Sequence, residues 1–209
     1  MKIIKLTGKI ELLSGLHIGG GDDTMKIGGI NNGVIKDINT DKPYIPGSSL
    51  KGKMRSLLEW NCRLVGYGDG SPFNSTILNK IPEPDKKNAE ILLKLFGDKE
   101  GEFGITRISV GDCKLSEKSK YLELSEAKYE NVINRQTGTA EHPRQIERVP
   151  AGVVFEYDIR IKVLEDNEEE SLKEMIKKGM TLIEEDYLGG SGSRGYGRVA
   201  FSNKINWIE

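Results

Sequence analysis

The feature that most constrains the fold is a regular alternation of apolar and polar residues near the start of the chain. From Ile4 to Leu12 the pattern is typical of a β-strand that buries one face. A second strand is predicted over 153–163, and Leu172 to Leu188 has apolar residues at helical spacing. Strands and helices alternate without the regular spacing of a parallel sheet. This favours an α+β fold of the ferredoxin-like kind, with a mostly antiparallel sheet and helices on one face.

Composition excludes several classes of protein. The 209 residues suffice for a single domain, 1–209, with insertions. Charged residues make up 30% of the chain, and no stretch approaches the roughly 20 apolar residues that a membrane span needs. The two cysteines, Cys62 and Cys113, lie in dissimilar contexts, which argues against a disulfide framework or a zinc site. The first residues lack the apolar core of a signal peptide, so we expect a cytoplasmic protein without a membrane partner.

A cluster of cations stands where a helix is predicted to begin. The turn at Pro46-Gly47 leads into a helix predicted from Ser48 to Val65, and Ser48 or Ser49 is predicted to cap it. Three cations fall in its first two turns: Lys51, Lys53 and Arg55. The start of a helix attracts anions and disfavours cations, because its unpaired N–H groups carry partial positive charge. The pattern therefore indicates an anionic partner such as phosphate.

Three segments interrupt the core elements. They are a glycine-rich and hairpin insertion at 15–40, an irregular insertion at 66–88, and a polar stretch at 125–150 without regular periodicity. Between them, Ala89 to Phe96 is predicted as a helix that Gly97 stops, and 104–113 as a strand. Loops that long inside a compact domain are usually functional.

Two glycine patterns look like nucleotide-binding motifs but lack the necessary context. The stretch from Gly47 to Met54 nearly matches the phosphate-binding loop of nucleotide hydrolases, but a Met54 thioether cannot replace the hydroxyl that binds Mg²⁺. The stretch from Gly190 to Gly195 follows a helix and precedes a strand, the reverse of the dinucleotide-binding order. Both patterns still expose backbone N–H groups beside a cation.

Other candidate contacts for RNA lie outside the helix start. His17 precedes three glycines and is either a hydrogen-bonded structural residue or an RNA contact. Arg135, Thr137 and Arg148 belong to a segment that interleaves cations and hydroxyls with turn formers. The alternative is that Arg144 and Arg148 form ion pairs with Glu147 and Glu141 on a surface loop. Arg194 lies in the glycine loop 189–197, which is either a plain flexible loop or one wall of a groove.

Six short segments carry a resemblance to a known family. They are Gly15–Gly20, Ile27–Ile30, Tyr44–Arg55, Asn134–Ala140, Arg148–Gly152 and the loop 189–197. Together, and in this order, they resemble the repeated backbone subunit of type III-A CRISPR effector complexes (the Csm complex), in the RAMP superfamily. The resemblance implies an RNA-recognition-like ferredoxin fold with inserted lid and thumb segments, the thumb-like projection being 125–152.

The same resemblance implies a function and its partners. The subunit binds CRISPR guide RNA, assembles head to tail with copies of itself and with other Csm subunits, and cuts target RNA with a divalent metal such as Mg²⁺. The metal ligands stay unknown. Guide contacts map onto a set of residues already introduced: His17, Lys51, Lys53, Arg55, Arg135 and the loop around Arg194.

One position departs from the family pattern. The family's catalytic Asp occurs in Ile-Gly-x-Ile-Asp, and here the place of that Asp is taken by Asn31. An amide is neutral and cannot act as a base, so cleavage is expected to be impaired while RNA binding survives. Asn31 also fits a plain hairpin turn beside Asn32-Gly33. Carboxylates that would rescue the reaction are Asp22, Asp23 and Asp37.

Two alternatives to a cleavage-impaired guide-binding subunit stay open. The first is a purely structural subunit that positions RNA for other chemistry, which differs only at residue 31. The second is a stand-alone RNA-processing nuclease that uses His17. A two-histidine acid–base pair would require His17 to meet His142, the other histidine of the chain.

Overall fold

A computed structural model describes residues 1–20, 33–98, 101 and 103–209. The helices are α1 (Gly47–Asn61), α2 (Glu83–Phe96) and α3 (Glu169–Glu185). The strands are β1 (Lys2–Leu12), β2 (Ile108–Val110), β3 (Lys114–Leu115), β4 (Glu126–Ile133), β5 (Ala140–Arg148), β6 (Val154–Val163), β7 (Val199–Phe201) and β8 (Trp207–Ile208).

The central sheet has the order β2-β6-β1-β7, with β3 beside β6 and β8 beside β1, and all its pairings are antiparallel. β1 and β6 form its long middle pair, in register from Lys2 opposite Val163 to Glu11 opposite Val154. In chain order the core runs β1, α1, β2, β6, α3, β7, which is the β-α-β-β-α-β unit of the ferredoxin-like fold. The α+β, ferredoxin-like prediction is confirmed.

The three helices cover one face of this sheet. Alternate residues of β1 and β6 are buried, as the sequence pattern predicts for strands with one buried face. α3 presents Leu172, Ile176 and Met180, spaced by four, to the same core. Gly179 lets α1 approach α3 closely, because a Cβ at that position would lie 2.4 Å from Cγ of Met54.

Helix boundaries differ from the predictions in two places. α1 begins at Gly47 and ends at Asn61, four residues before the predicted end. α2 begins at Glu83, so the segment 66–88 is not wholly irregular. The predicted start at Ala89 was wrong: Pro84 lies in the first turn of α2, where proline is well tolerated. Gly97 ends α2 as predicted, with a φ of 83°.

The segment 125–150 contains regular structure that the sequence did not predict. β4 and β5 pair as a separate two-stranded antiparallel sheet, which we call the thumb hairpin (residues 126–148). Most of its side chains are exposed, and along β5 only Ile146 and Glu147 are buried. Along β4 the half-buried residues are Glu126, Lys128 and Glu130, so burial alternates but the inward residues are charged and the sequence shows no apolar–polar alternation. The predicted strand 104–113 is likewise shortened to β2, with Lys114–Leu115 forming β3 beyond it.

One residue of the acidic block at 165–170 is not a solvated surface charge. Glu168 is 3% exposed and accepts hydrogen bonds from the Leu164 N–H, at 2.8 Å, and from Nε of Arg107, at 3.4 Å. It therefore joins β6, α3 and the Arg107 segment through a buried carboxylate.

Both cysteines, Cys62 and Cys113, are buried free thiols. In the part of the chain that the structure describes, no helix has the length and apolar character to cross a bilayer.

Candidate nucleic-acid interface

The segment after β1 lies between the base of the thumb hairpin and the glycine loop. Leu16 and Val149 exchange backbone hydrogen bonds of 2.8 and 2.9 Å, which attach it to the end of the hairpin. On its other side, the Gly190 N–H donates to the His17 carbonyl, at 2.9 Å. Gly189 has a φ of 76°, and a Cβ there would lie 2.5 Å from the His17 carbonyl oxygen. The glycine loop is therefore bound closely to this segment and is not a free flexible loop.

His17 is oriented by the hairpin. Its Nδ1 lies 2.7 Å from the backbone carbonyl of Glu147, and because a carbonyl only accepts, Nδ1 carries the proton. The ring is partly exposed, and Nε2 is the atom left to meet a ligand. In the neutral ring Nε2 accepts a hydrogen bond, as from a ribose hydroxyl, and in the charged ring it donates to phosphate.

Glu147 anchors the base of the hairpin. Its side chain is 6% exposed and accepts from three groups: the Val34 N–H at 2.9 Å, the Ser125 hydroxyl at 2.6 Å and Nζ of Lys36 at 2.8 Å. Burial raises the pKa of Glu147, but these donors outweigh it and hold that pKa below its usual range. The carboxylate therefore joins the thumb hairpin to the segment that contains Val34 and Lys36.

A second anchor is formed by β4, also at the foot of the thumb hairpin. Tyr196 of the glycine loop is fully buried and donates its hydroxyl to Oε1 of Glu130, at 2.9 Å. The other oxygen of Glu130 accepts from Nη1 of Arg194, at 2.7 Å. Nζ of Lys128 lies 4.4 Å from the centroid of the Tyr196 ring, and the Arg148 guanidinium lies 5.1 Å from it. These contacts gather three cations around one buried ring at the foot of the thumb hairpin.

Arg148 forms an ion pair, but not with the glutamates expected from the sequence. Its partner is Glu126, across the hairpin, and not Glu141 or Glu147. Arg148 also lies over Gly15, where a Cβ would fall 2.4 Å from the Arg148 Cδ. Arg148 thus belongs to the cationic cluster but is partly neutralised there.

Of the three cations on α1, only Lys53 reaches this region. Its Nζ lies 2.7 Å from the Asp186 carboxylate and 3.6 Å from the centroid of the Tyr187 ring. The same ring packs against Gly192 of the glycine loop, since a Cβ there would lie 2.0 Å from Cγ of Tyr187. Lys53 therefore borders the glycine loop from the side of α1 and α3.

Lys51 and Arg55 lie four residues apart, on a different face of α1 from Lys53. Lys51 contacts the Thr106 hydroxyl at 3.4 Å, and burial, with the nearby Arg55 charge, lowers its pKa. Arg55 donates from Nε to Glu59 at 2.8 Å and from Nη2 to the Phe73 carbonyl at 2.7 Å. The structure thus separates the three cations that the sequence placed in one group.

The anion expected at the start of α1 comes from the chain itself. Neither Ser48 nor Ser49 caps the helix, so that prediction was wrong; Pro46 occupies the cap position. The Gly47 N–H donates to Oδ1 of Asp112, at 2.8 Å. A carboxylate at a helix N-terminus is favoured by the helix dipole and satisfies an unpaired N–H.

Arg135 and Thr137 lie at the exposed tip of the thumb hairpin. Asn134 holds the turn, its Oδ1 accepting from the N–H groups of Gln136, at 2.9 Å, and Thr137, at 3.1 Å. Both candidate contacts are thus presented to solvent on an ordered turn, at the far end of the hairpin from His17.

The residues predicted to carry cleavage fall mostly outside the described part. Asn31, Asp22 and Asp23 all lie within residues 21–32, which the structure does not describe. Asp37 is described, and its Oδ1 accepts from the Asn39 N–H and from the N–H and hydroxyl of Thr40. Hydrogen bonds from Thr40 and then Asn39 lower the pKa of Asp37. Asp37 therefore holds its own turn.

No group of three or more histidine, cysteine or carboxylate side chains suited to a metal ion occurs among residues 1–20, 33–98, 101 and 103–209. Most of the residues expected to carry metal-dependent cleavage lie within 21–32, outside those ranges.

Sequence reasoning missed several residues that build this surface. Lys128 and Glu130 were not singled out, because the hairpin that aligns them was not predicted, and Glu147 was expected only as a surface partner of an arginine. The single aromatic residue of the glycine loop, Tyr196, was the only signal pointing to the partner that Lys128 and Glu130 share.

Comparison with known proteins decides the family. The RAMP superfamily model matches residues 9–200. The chain belongs to the RAMP superfamily. Within it, the chain is 40% identical over 205 residues to the CRISPR system Cms endoribonuclease Csm3 of Enterococcus italicus, covering 95% of this chain and 89% of that protein. The Csm3 of Streptococcus thermophilus is 42% identical over 207 residues, covering 95% and 86%. The resemblance seen in the sequence is confirmed.

The RAMP fold extends to a distant solved structure. A chain in the cryo-EM structure of the type III-B Cmr-beta bound to cognate target RNA matches with a TM-score of 0.66 and 21% identity. The match covers all of this chain and 61% of that one. At this identity the likeness establishes the shared fold.

Proposed function

We propose that this chain is a guide-RNA-binding backbone subunit of a type III-A CRISPR ribonucleoprotein, acting in antiviral defence in the cytoplasm. Its partners are CRISPR guide RNA, target RNA, copies of itself in a head-to-tail filament, and other Csm subunits. Proteins named Csm3 are 40% and 42% identical to this chain over 95% of its length, and this similarity supports the assignment.

The observation that carries the proposal is the convergence of cations around the glycine loop. The members of this convergence come from four separate parts of the chain: His17, Lys53, Lys128, Arg148 and Arg194. Asp186, Glu126 and Glu130 pair with the four lysines and arginines of this set, so the excess of positive charge is small. With a net charge of −1 for the whole chain, this local excess favours a polyanion bound in one groove. Phosphate contacts of this kind hold the RNA without reading its sequence, which guide–target pairing supplies.

The test is RNA affinity as a function of salt. Wild-type protein is titrated against fluorescein-labelled single-stranded RNA of mixed sequence, and the logarithm of the association constant should fall linearly with the logarithm of salt concentration. Arg194→Ala should weaken binding without changing base preference. Lys177→Ala, which removes a half-exposed lysine from α3, is the matched control and should bind as wild type. Equal losses in the two variants would refute the location of the groove.

For cleavage, we propose that Asn31 leaves this chain weak or inactive. An amide at the place of the family's Asp can neither take up a proton nor offer a charged oxygen to a metal. Target cleavage should be compared between assemblies of Asn31 and Asn31→Asp protein with Mg²⁺, at matched guide occupancy. Faster cleavage by Asn31→Asp supports the proposal, and equal rates contradict it.

A stand-alone nuclease built on two histidines receives no support from the geometry. His17 contacts the backbone of Glu147, and His142 lies five residues away along β5. At about 3.3 Å per residue, that separation is roughly 16 Å along the strand.

A further inference from the structure

The Arg194 side chain has one edge turned to the protein and another open to solvent. Its Nη1 donates to Glu130, and its side chain is 51% exposed. A guanidinium carries five N–H donors in a planar fork. Among the contacts that the structure describes for this side chain, Glu130 engages only Nη1, so the rest of the fork is available to an incoming acceptor.

Glu130 is itself fixed. Its side chain is 12% exposed, and its two oxygens have different partners, Tyr196 on one and Arg194 on the other. Burial, followed by the hydrogen bond to Glu130, raises the pKa of Tyr196 to about 12, so the hydroxyl stays a donor at neutral pH. Burial raises the pKa of Glu130, but Tyr196, Arg194 and Lys128 together hold it below its usual range, so the carboxylate stays charged.

Glu130 lies in the part of β4 that connects the Arg194 loop with the tip of the hairpin. Beyond it, β4 continues through Val132 and Ile133, both about half exposed, toward the tip. Before it, Lys128 donates to the Arg194 backbone carbonyl, at 3.5 Å. The backbone and the side chain of Arg194 are thus both held by β4, and the loop cannot turn without breaking these contacts.

We propose that Glu130, held by Tyr196, is a positioning residue that aims the outer edge of Arg194 at a backbone phosphate of RNA entering the foot of the thumb hairpin. The inference rests on the proposed RNA-binding function and names the residue that organises one of its contacts.

The direction in which Glu130→Gln changes RNA affinity tests the positioning role. Glu130→Gln removes a negative charge from a groove for a polyanion, so simple electrostatics predicts tighter RNA binding. A positioning role predicts the opposite, since the charge-assisted hold on Arg194 is lost. We expect Glu130→Gln to weaken binding of the labelled single-stranded RNA roughly three- to tenfold, and to lower the salt slope by about 0.7, the value of one phosphate contact.

The same titrations in an Arg194→Ala background show whether Glu130 acts through Arg194. There Glu130→Gln should have no further effect, because the residue it positions is gone. Tyr196→Phe, which removes only the hydroxyl, should weaken binding in the wild-type background and likewise have no effect without Arg194. Glu126→Gln, which acts on Arg148 from the same strand, is the matched control and should have the same effect in both backgrounds.

The outcomes separate the two proposals. Absence of RNA binding by wild type overturns the proposed function together with this inference. Normal wild-type binding with an unchanged or tighter Glu130→Gln, or equal losses with and without Arg194, overturns the positioning role alone. Thermal midpoints of all variants are measured alongside; a loss of affinity that follows the midpoint rather than the presence of Arg194 also overturns it.

Discussion

Replacing Glu147 by alanine should destabilise the protein more than any surface change of the same kind. The substitution leaves the buried Val34 N–H without its acceptor, which costs about 1–3 kcal/mol, and removes two further hydrogen bonds of about 1 kcal/mol each. Lys36 is 32% exposed and regains hydration, so the total is about 3 kcal/mol. For a domain of this size that corresponds to a fall in the melting temperature of roughly 6–12 °C.

Glu147→Gln should be much milder. The amide oxygen still accepts from Val34 and the amide NH₂ can donate to the Ser125 hydroxyl, so the loss is the acceptor and the charge opposite Lys36, which costs about 1 kcal/mol or roughly 2–4 °C. Glu141→Ala is the matched control, because Glu141 lies exposed on the same strand and accepts only from the Asn134 side chain. Its effect should stay within about 0.5 kcal/mol.

The pH dependence gives an independent check of the same carboxylate. Folding lowers the pKa of Glu147 below its ordinary value of 4.5, so its stabilisation is present above that value and is lost as pH falls through the lowered pKa. The stability gap between wild type and Glu147→Gln should be constant at neutral pH and should close below about pH 4.5. Urea denaturation across pH measures it. A Glu147→Ala protein as stable as Glu141→Ala, or a gap that widens on acidification, would refute the reasoning.

Two further predictions follow from α1. Asp112→Ala should lower stability by about 1 kcal/mol, because the Gly47 N–H loses its carboxylate acceptor, and Asp112→Asn should cost less. Calorimetry that finds the two variants equally stable would contradict the capping role. Arg55→Ala should lower the melting temperature more than Lys53→Ala, because Arg55 holds the buried Phe73 segment. Lys53→Ala should lower RNA affinity more than Arg55→Ala, because Lys53 borders the glycine loop. The reverse order in thermal melting or in RNA titration would contradict these two roles.

The sequence predicted those parts of the fold in which one face is buried. β1, β6 and α3 have an apolar stripe against the core, and their periodicity is visible without the structure. The thumb hairpin was not predicted, because the partly buried face of β4 is lined by charged residues and the pairing depends on the turn at Asn134 and the anchors at its base. A strand whose inward residues are charged has no apolar periodicity.

The candidate site was predicted as a set of residues but not as an arrangement. His17, Arg148 and Arg194 do converge, and the family pattern had marked them. The carboxylates that orient them were missed, because Glu130 and Glu147 look like ordinary surface charges in a polar segment. Their function depends on contacts with residues far along the chain, such as Tyr196 and Val34, which no local pattern encodes.

The most direct test of the central claim is the length dependence of RNA binding. Purified protein is titrated with single-stranded RNAs of increasing length, and the mass of each complex is measured by light scattering. A backbone subunit that assembles head to tail should bind short RNA weakly, bind longer RNA with cooperatively rising affinity, and add one protomer for each fixed increment of length. Equal affinity at every length, with one protomer per RNA, would contradict the account.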